Sequence, residues 1–416
     1  VVQQVLVAPD KFKGSLTAAE VSAHVSAGLG VPTVELPVAD GGDGTVDAAV
    51  AGGFGRVTIE VTGPTGQRIP ASYAWQESGA TAVVELSEAS GLRRLPGGRE
   101  PLTATSYGTG ELIADAVRRG AKRVVLGLGG SACTDGGAGL AQALGARLLD
   151  ADGNELARGG AALKDLDRID LSDFTDISGV EFVVASDVDN PLLGPHGAAA
   201  VYGPQKGATA EDVRTLEAAL ARLAAVGTAT HGLMGAPERR SSRRESEGRA
   251  NEERSGRDHE HEHDDTPRAM GVAGAPGAGA AGGVGFAALA FLHAEIRPGI
   301  DYLLDLLGFG DLVKDARLVI TGEGSLDEQS LRGKAPIGVA QAAARAGVPV
   351  VAVCGRRTLS DDALRAAGIE AAYALTDLEP DPERCMAEAG PLLERLAARL
   401  AAIHLQGDRQ GDSGGS

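Results

Sequence analysis

The 416-residue chain is long enough for two or three domains, and its 43% hydrophobic content can fill their cores. Its 39 basic against 57 acidic side chains leave a net charge of −18. That excludes a nucleic-acid backbone or an anionic membrane as the main partner, because no global field draws phosphate in. A small anion held in a local site stays compatible with it.

The first strand reads at Val5–Ala8, followed by a helix at Ser15–Leu29 with Ser15 or Thr17 as its N-cap. The opening VVQQVLVAPDKFKGS has no basic stretch and its apolar run breaks at Pro9 and Asp10, so it does not read as a signal peptide. A helix over Gly110–Arg119 leads to a strand at Arg123–Leu128 and a helix near Ala138–Leu144. Phe182–Ala185, Leu318–Thr321 and Val348–Val353 complete the strand pattern. Most are apolar on consecutive positions, as strands buried on both faces are. Strands alternating with helices predict an α/β chain with largely parallel sheets. Segment 235–268 has 18 charged residues of 34 and no large apolar side chain, which predicts a disordered insertion. Within it His259, His261 and His263 alternate with Glu260 and Glu262, a weak divalent-metal candidate against a solvated loop. The tail 406–416 also reads as disordered. Cys133, Cys354 and Cys385 are too few and scattered for a disulfide framework or a zinc cluster. With no run of 18 apolar residues, the expectation is a soluble cytoplasmic protein.

Five polar, glycine-rich clusters follow predicted strands, where open α/β sheets bind ligands. Asp10-Lys11-Phe12-Lys13-Gly14-Ser15 presents lysines, a hydroxyl and backbone N–H groups to an anion, or is a plain capped helix start. Asp40-Gly41-Gly42-Asp43 lets two acids converge on one ligand or Mg²⁺, or is a turn with Asp43 as N-cap. The loop Gly127 to Gly137 carries Gly129, Gly130, Ser131, Thr134 and Asp135. Gly127, Gly129 and Ala132 also match a dinucleotide fingerprint, with Asp150 placed for a ribose, so an NAD-dependent oxidoreductase is the competing reading. Thr134 and Asp135 argue against it, since they occupy what should be an apolar helix start. Asp187 and Asp189, ahead of Asn190, project the same way if the strand continues, and such a pair can hold Mg²⁺ or take a hydroxyl proton. Glu323 and Ser325, with Arg332 and Lys334 beyond them, suit a phosphorylated ligand. The chain has no Walker A loop, protein-kinase motif set or HExxH. Cys133 has no histidine near it in sequence and reads as a small packed residue.

Taken together, the chain resembles the bacterial glycerate kinases of the glyoxylate- and glucarate-pathway type. The stretches that carry this are APDKFKGSLTA from Ala8, PVADGGDGT from Pro37, TSYGTGELI from Thr105 and GLGGSACTDGGAG from Gly127. SDVDNPLLGP from Ser186, VYGPQKGA from Val201 and TGEGSLDEQSLRGKAP from Thr321 continue the match in family order. The charged insertion is the one departure, and the family core does not need it. The resemblance implies transfer of a phosphoryl group from ATP, with Mg²⁺, to a hydroxyl of D-glycerate, usually giving 2-phosphoglycerate. It implies a Rossmann-like domain from both chain ends, 1–62 with 290–405, a second mixed α/β domain at 63–289, and an active site between them. In that frame Lys13 and the turn before Ser15 would hold a phosphate or the glycerate carboxylate. Asp187 or Asp189 would position Mg²⁺ or act as the base. Ser131, Thr134 and nearby backbone would contact substrate or nucleotide, and Glu323, Ser325 and Lys334 would complete the cleft. Asp10, Asp40, Gly41, Gly42, Asp43, Gly129, Gly130, Asp135 and Asn190 are the further binding candidates, in a monomer or homodimer.

Overall fold

The computed structural model describes residues 4–231, 271–331 and 333–405. The charged segment 235–268 with its histidines, the tail 406–416 and Arg332 lie outside them. Strands β1 (Gln4–Val7) and β2 (Thr33–Glu35) come first. The middle of the chain supplies β3 (Gly55–Thr62), β4 (Arg68–Gln76), β5 (Thr81–Glu85) and β6 (Arg123–Gly127). It also supplies β7 (Arg147–Leu149), β8 (Arg168–Asp170), β9 (Glu181–Ala185) and β10 (Glu295–Arg297). Last come β11 (Ala316–Leu326), β12 (Val350–Arg357) and β13 (Ala371–Ala374). The helices that matter for the site are α1 (Ala18–Leu29), α2 (Thr45–Ala51), α3 (Tyr107–Arg118) and α4 (Ala138–Ala143). To these add α5 (Gly299–Leu306), α6 (Ala335–Arg345) and α7 (Ala389–His404).

One sheet has the order β13-β12-β11-β1-β2 and is parallel throughout. Its three inner strands, β12, β11 and β1, are largely buried on both faces, as their unbroken apolar runs require. Val5, Val7, Leu318, Ile320 and Val351 meet α1 and α7 on one side. Leu6, Val319, Val350 and Ala352 meet α2, α5 and α6 on the other. The second sheet runs β10-β9-β6-β5-β4-β3. Its β10, β9, β6 and β5 are parallel, and β4 and β3 add an antiparallel hairpin. Tyr73, Val84, Leu126 and Val184 pack on α3 and α4, whereas Ala74, Val83, Val125 and Ala185 join the cluster around α2 and α5. Those two helices are therefore shared filling between the sheets. Strands β7 and β8 form a small separate pair.

The α/β class follows the sequence pattern, and three local details differ from it. Helix α1 starts at Ala18, because Thr17 and Glu20 close a capping box there, leaving residues 10–16 as a turn of their own. Strand β11 runs on to Leu326, so Glu323 and Ser325 belong to a strand rather than to a loop after it. The hairpin of β3 and β4 alternates Val57, Ile59 and Val61 with polar residues and pairs over eight positions. A boundary at 62 falls at the turn of that hairpin, and β10, beyond a boundary at 290, pairs with β9. Among the described residues no helix is long and apolar enough to cross a membrane.

Candidate active site

The chain leaves β1 toward β2 on one side and returns on its other side as β11. Crossovers diverge there, and such a switch point opens a crevice beyond the strand ends. A cavity of about 850 Å³ occupies that place. One wall comes from the parallel sheet: the Asp10–Ser15 turn after β1, then Glu323 to Asp327, Lys334, Gly355 and Arg356. Facing it are Asp43, from the loop after β2, and Ser87, Leu92, Arg93 and Gly130 from the second sheet's loops. Of the residues singled out in the sequence, Asp10, Lys13, Ser15, Asp40, Asp43, Gly130, Glu323, Ser325 and Lys334 line this one cavity.

Acids dominate its base. Asp10 is buried, its N–H donates to the Gly322 carbonyl at 2.8 Å, and its Oδ1 accepts from Lys11 N at 2.6 Å. Burial pushes its carboxyl up to about 7; Lys11 opposes the rise, and Asp40 and Glu323 add to it. Glu323 is also raised, chiefly by burial, and its Oε1 is buried without a hydrogen-bond partner. Near these acids, Arg356 Nε donates to Ser325 Oγ at 3.1 Å.

The loop Asp40 to Gly44 joins the sheets. Gly41 has φ +89° and lies flat on the end of β9, where a Cβ would sit 2.1 Å from the Ala185 carbonyl oxygen. The loop's far end is held by Glu85, the last residue of β5. Buried Glu85 Oε2 accepts from Gly44 N and Val46 N at 3.1 Å each, capping α2 from 41 and 39 residues away. Its Oε1 accepts from Ser87 Oγ and lies 3.4 Å from Arg93. Burial pushes this carboxyl up, against the donors around it. Asp43, which the sequence offered as a possible N-cap, instead pairs with Arg93 at 2.7 Å and accepts from Ser87 Oγ at 3.0 Å. Lys11 Nζ donates to the Asp43 carbonyl, tying the loop back to the first sheet.

Other predicted residues stand outside the cavity wall. Strand β9 ends at Ala185, so Asp187 and Asp189 do not continue it and do not form a pair. Asp187 Oδ1 accepts from Gly299 N at 3.1 Å. Partial burial pushes its carboxyl up to about 6, opposed by that N–H, with Asp40 and Asp301 adding to the rise. Asp189 is exposed, on the side of Tyr202. Asn190 spends both ends of its amide within the chain that follows it, donating to His196 O and accepting from Tyr202 OH, each at 2.8 Å. The Gly127–Gly137 loop turns its polar groups inward. Asp135 is fully buried and accepts from Ser106 N, Ser106 Oγ, Gly137 N and Gly139 N at 2.8–3.2 Å. Thr134 is buried, Ser131 is nearly so, and buried Lys206 donates to the Cys133 carbonyl at 2.5 Å. Gly129 and Gly42 meet backbone to backbone, so both support the wall without lining it. Cys133 is buried and inert, its thiol pushed well up by burial. The dinucleotide reading fails here. Strand β7 does not border β6, and Asp150 spends its Oδ1 on Asp152 N and Asn154 N and its Oδ2 on Asn154 Nδ2, all in its own turn.

Glu85, Ser87, Arg93, Gly355 and Arg356 were not singled out in the sequence. Glu85 carried one usable signal, an acid ending the apolar run Ala82–Val84. The others belong to no short motif.

A model of the glycerate kinase family matches residues 5–405. A glycerate kinase of Halalkalibacterium halodurans is 40% identical over 407 residues, covering 96% of this chain and 97% of that protein. The glycerate 2-kinase of Escherichia coli K12 is 39% identical over 381 residues, with 89% and 90% covered. The crystal structure of a candidate glycerate kinase 2 from Salmonella typhimurium LT2 superposes with a TM-score of 0.77 at 37% identity, covering 97% of this chain and 98% of that one.

Two outcomes follow from this geometry. Folded Asp10 titrates near 7 and the unfolded group near its ordinary 3.8. Between those values the folded state keeps a proton the unfolded state releases, so this group's contribution to stability falls as pH rises. Asp10→Asn removes the effect. At about pH 8 the substrate-free variant is more stable than the parent in urea unfolding, by at most ~1.4 kcal/mol per pKa unit, and the gap closes below about pH 4. Glu85→Gln sets an amide N–H₂ against donors. It lowers kcat/KM by about tenfold or more and costs about 2 kcal/mol of stability, with the circular dichroism spectrum retained.

Proposed function

The chain belongs to the glycerate kinase family, and from that premise we propose that its cleft moves the γ-phosphoryl group of ATP onto the C2 hydroxyl of D-glycerate, giving 2-phosphoglycerate. The observation that carries this reading is the set of lysines, arginine and buried acids converging on one cavity at the switch point. Phosphoryl transfer needs positioned anions and a proton acceptor more than covalent chemistry.

Asp10 is the proton acceptor for the attacking hydroxyl. It sits at the end of β1 in the cavity wall, and Lys11, 3.7 Å from its Oδ1, stabilises the charged carboxylate. Lys13, Lys334 and Arg356 hold phosphate oxygens, and Arg93 and Ser87 face the glycerate carboxylate and hydroxyls. Asp187, through the Gly299 N–H, keeps the end of α5 against the Asp40 loop.

The donor set fits Mg²⁺. It consists of carboxylate oxygens, and buried Glu323 Oε1 has no other partner. Among the described residues no three acidic or metal-binding side chains form a ready cage. That suits an ion held by one or two carboxylates, here Glu323 with Asp40 in the same cavity wall, with substrate phosphates and water completing its shell. When bound, the ion neutralises charge on the β- and γ-phosphates. The enzyme works in the cytoplasm, a placement that its three free cysteines favour.

The test is ³¹P NMR of D-glycerate incubated with MgATP and the protein. A new phosphomonoester doublet, split by one carbon-bound proton, is the expected result. A triplet would move the product to 3-phosphoglycerate, and intact ATP with no new signal would remove the kinase reading. In the same assay Asp10→Asn lowers kcat by about 10² or more, with KM for ATP little changed.

A further inference from the structure

We propose that the base of the nucleotide docks in an apolar slot under the segment 375–389, with its phosphates leading back over Arg356, Lys334 and Lys13 toward Asp10. This rests on the kinase reading and adds which part of the cavity takes which part of the donor.

The floor of the slot is bare backbone. Register pairs Glu323 with Cys354 and Ser325 with Arg356, which sets Gly324 beside Gly355 at the ends of β11 and β12. Both line the cavity, and a Cβ on Gly355 would come within 2.6 Å of the Gly324 carbonyl oxygen. A flat planar ligand can lie on such a surface where side chains would hold it off.

The walls are apolar. Phe12, Leu375, Cys385 and Ala389 are buried and face the cavity. Met386 is 53% exposed, one of the few large apolar side chains so open among the described residues, and it also lines the cavity. A ligand that covers it removes that area from water, and its thioether adapts to a ring face. Thr376 supplies a polar edge. The wall is fixed to the lysine turn, since Ser15 Oγ donates to the Met386 carbonyl at 3.1 Å.

Sheet order gives the separation. Gly355 lies two strands from Asp10 and Leu375 three, which is roughly 10 and 14 Å at the usual spacing between strands. A base in the slot therefore leaves a phosphate chain's length to the acids. Arg356 and Lys334 lie along that path. The opposite wall, with Asp43, Ser87 and Arg93, has no comparable apolar surface beyond Leu92, and suits a short polyhydroxy acid.

Photolabelling the unaltered protein with 8-azido-ATP, followed by peptide mapping, tests this without any variant. The expected adduct lies within 375–389 and is suppressed by ATP. An adduct within 87–93, or no ATP-protected adduct, overturns the assignment. Met386→Ala should raise KM for ATP by about threefold to tenfold, and Ala389→Phe by more, with KM for glycerate within about twofold. A rise in KM for glycerate alone also overturns it. The two readings fail separately. Label in 375–389 without phosphoglycerate formation sinks the kinase reading and leaves the nucleotide slot. Phosphoglycerate formation with label in 87–93 sinks the slot alone.

Discussion

The two sheets meet through backbone laid on backbone, and the cleft depends on that contact. The Asp40–Gly44 loop crosses the ends of β6 and β9 at a distance no side chain allows. A Cβ on Gly129 would stand 2.4 Å from Gly42 Cα, and one on Gly299 would stand 2.1 Å from the Asp40 carbonyl oxygen. Glycines on both partners make the approach possible, which accounts for part of the chain's high glycine content. Closeness alone would leave the loop's N–H groups unpaired. Glu85 answers this by accepting from Gly44 and Val46, and Arg93 and Ser87 keep the buried carboxylate from standing alone. The outcome is that Asp40 and Asp43, from one strand's loop, face Asp10 and Glu323 from two others.

Much of this frame is local enough to be legible in the sequence. A parallel strand buried on both faces shows as an unbroken apolar run, and a polar cluster at its end falls where the crevice opens. Asp10, Lys13, Asp40 and Glu323 stand at such ends, and all four line the cavity. The hairpin of β3 and β4 was harder to see because its alternating pattern reports one buried face only. Long-range pairings left no local trace. Asp187 meets Gly299 across 112 residues, and Glu85 reaches Gly44 across 41. The Gly127–Gly137 loop divides: Gly130 lines the cavity, whereas Thr134 and Asp135 turn into the protein. Hydroxyls and a carboxylate among glycines are what a ligand loop needs, and also what a buried loop needs to satisfy its own N–H groups. Asp135, which accepts from three backbone N–H groups and the Ser106 hydroxyl and has no exposure, serves the second purpose. Residue types could not separate the two, whereas burial does.

A chain with net charge −18 that acts on two anions must attract them locally. Screening works in its favour, since beyond about 8 Å at physiological ionic strength the surface charges fade, while groups in contact keep their strength. The cavity's cations divide by their partners. Lys11 bonds the Asp43 carbonyl and Arg93 pairs with Asp43, Glu85 and Glu88, so both hold the acidic loops in register while Arg93 still faces the cavity. Lys13, Lys334 and Arg356 stand on the parallel-sheet wall, and Arg356 bonds the Ser325 hydroxyl rather than a carboxylate. A further factor makes the buried acids tolerable side by side. Asp10 can carry a proton near neutral pH, which removes one charge from the crowd until anions and their counter-charges rearrange it. In the proposed reading, the wall that recruits anions and the carboxylate that accepts a proton thus come from neighbouring strand ends of one sheet.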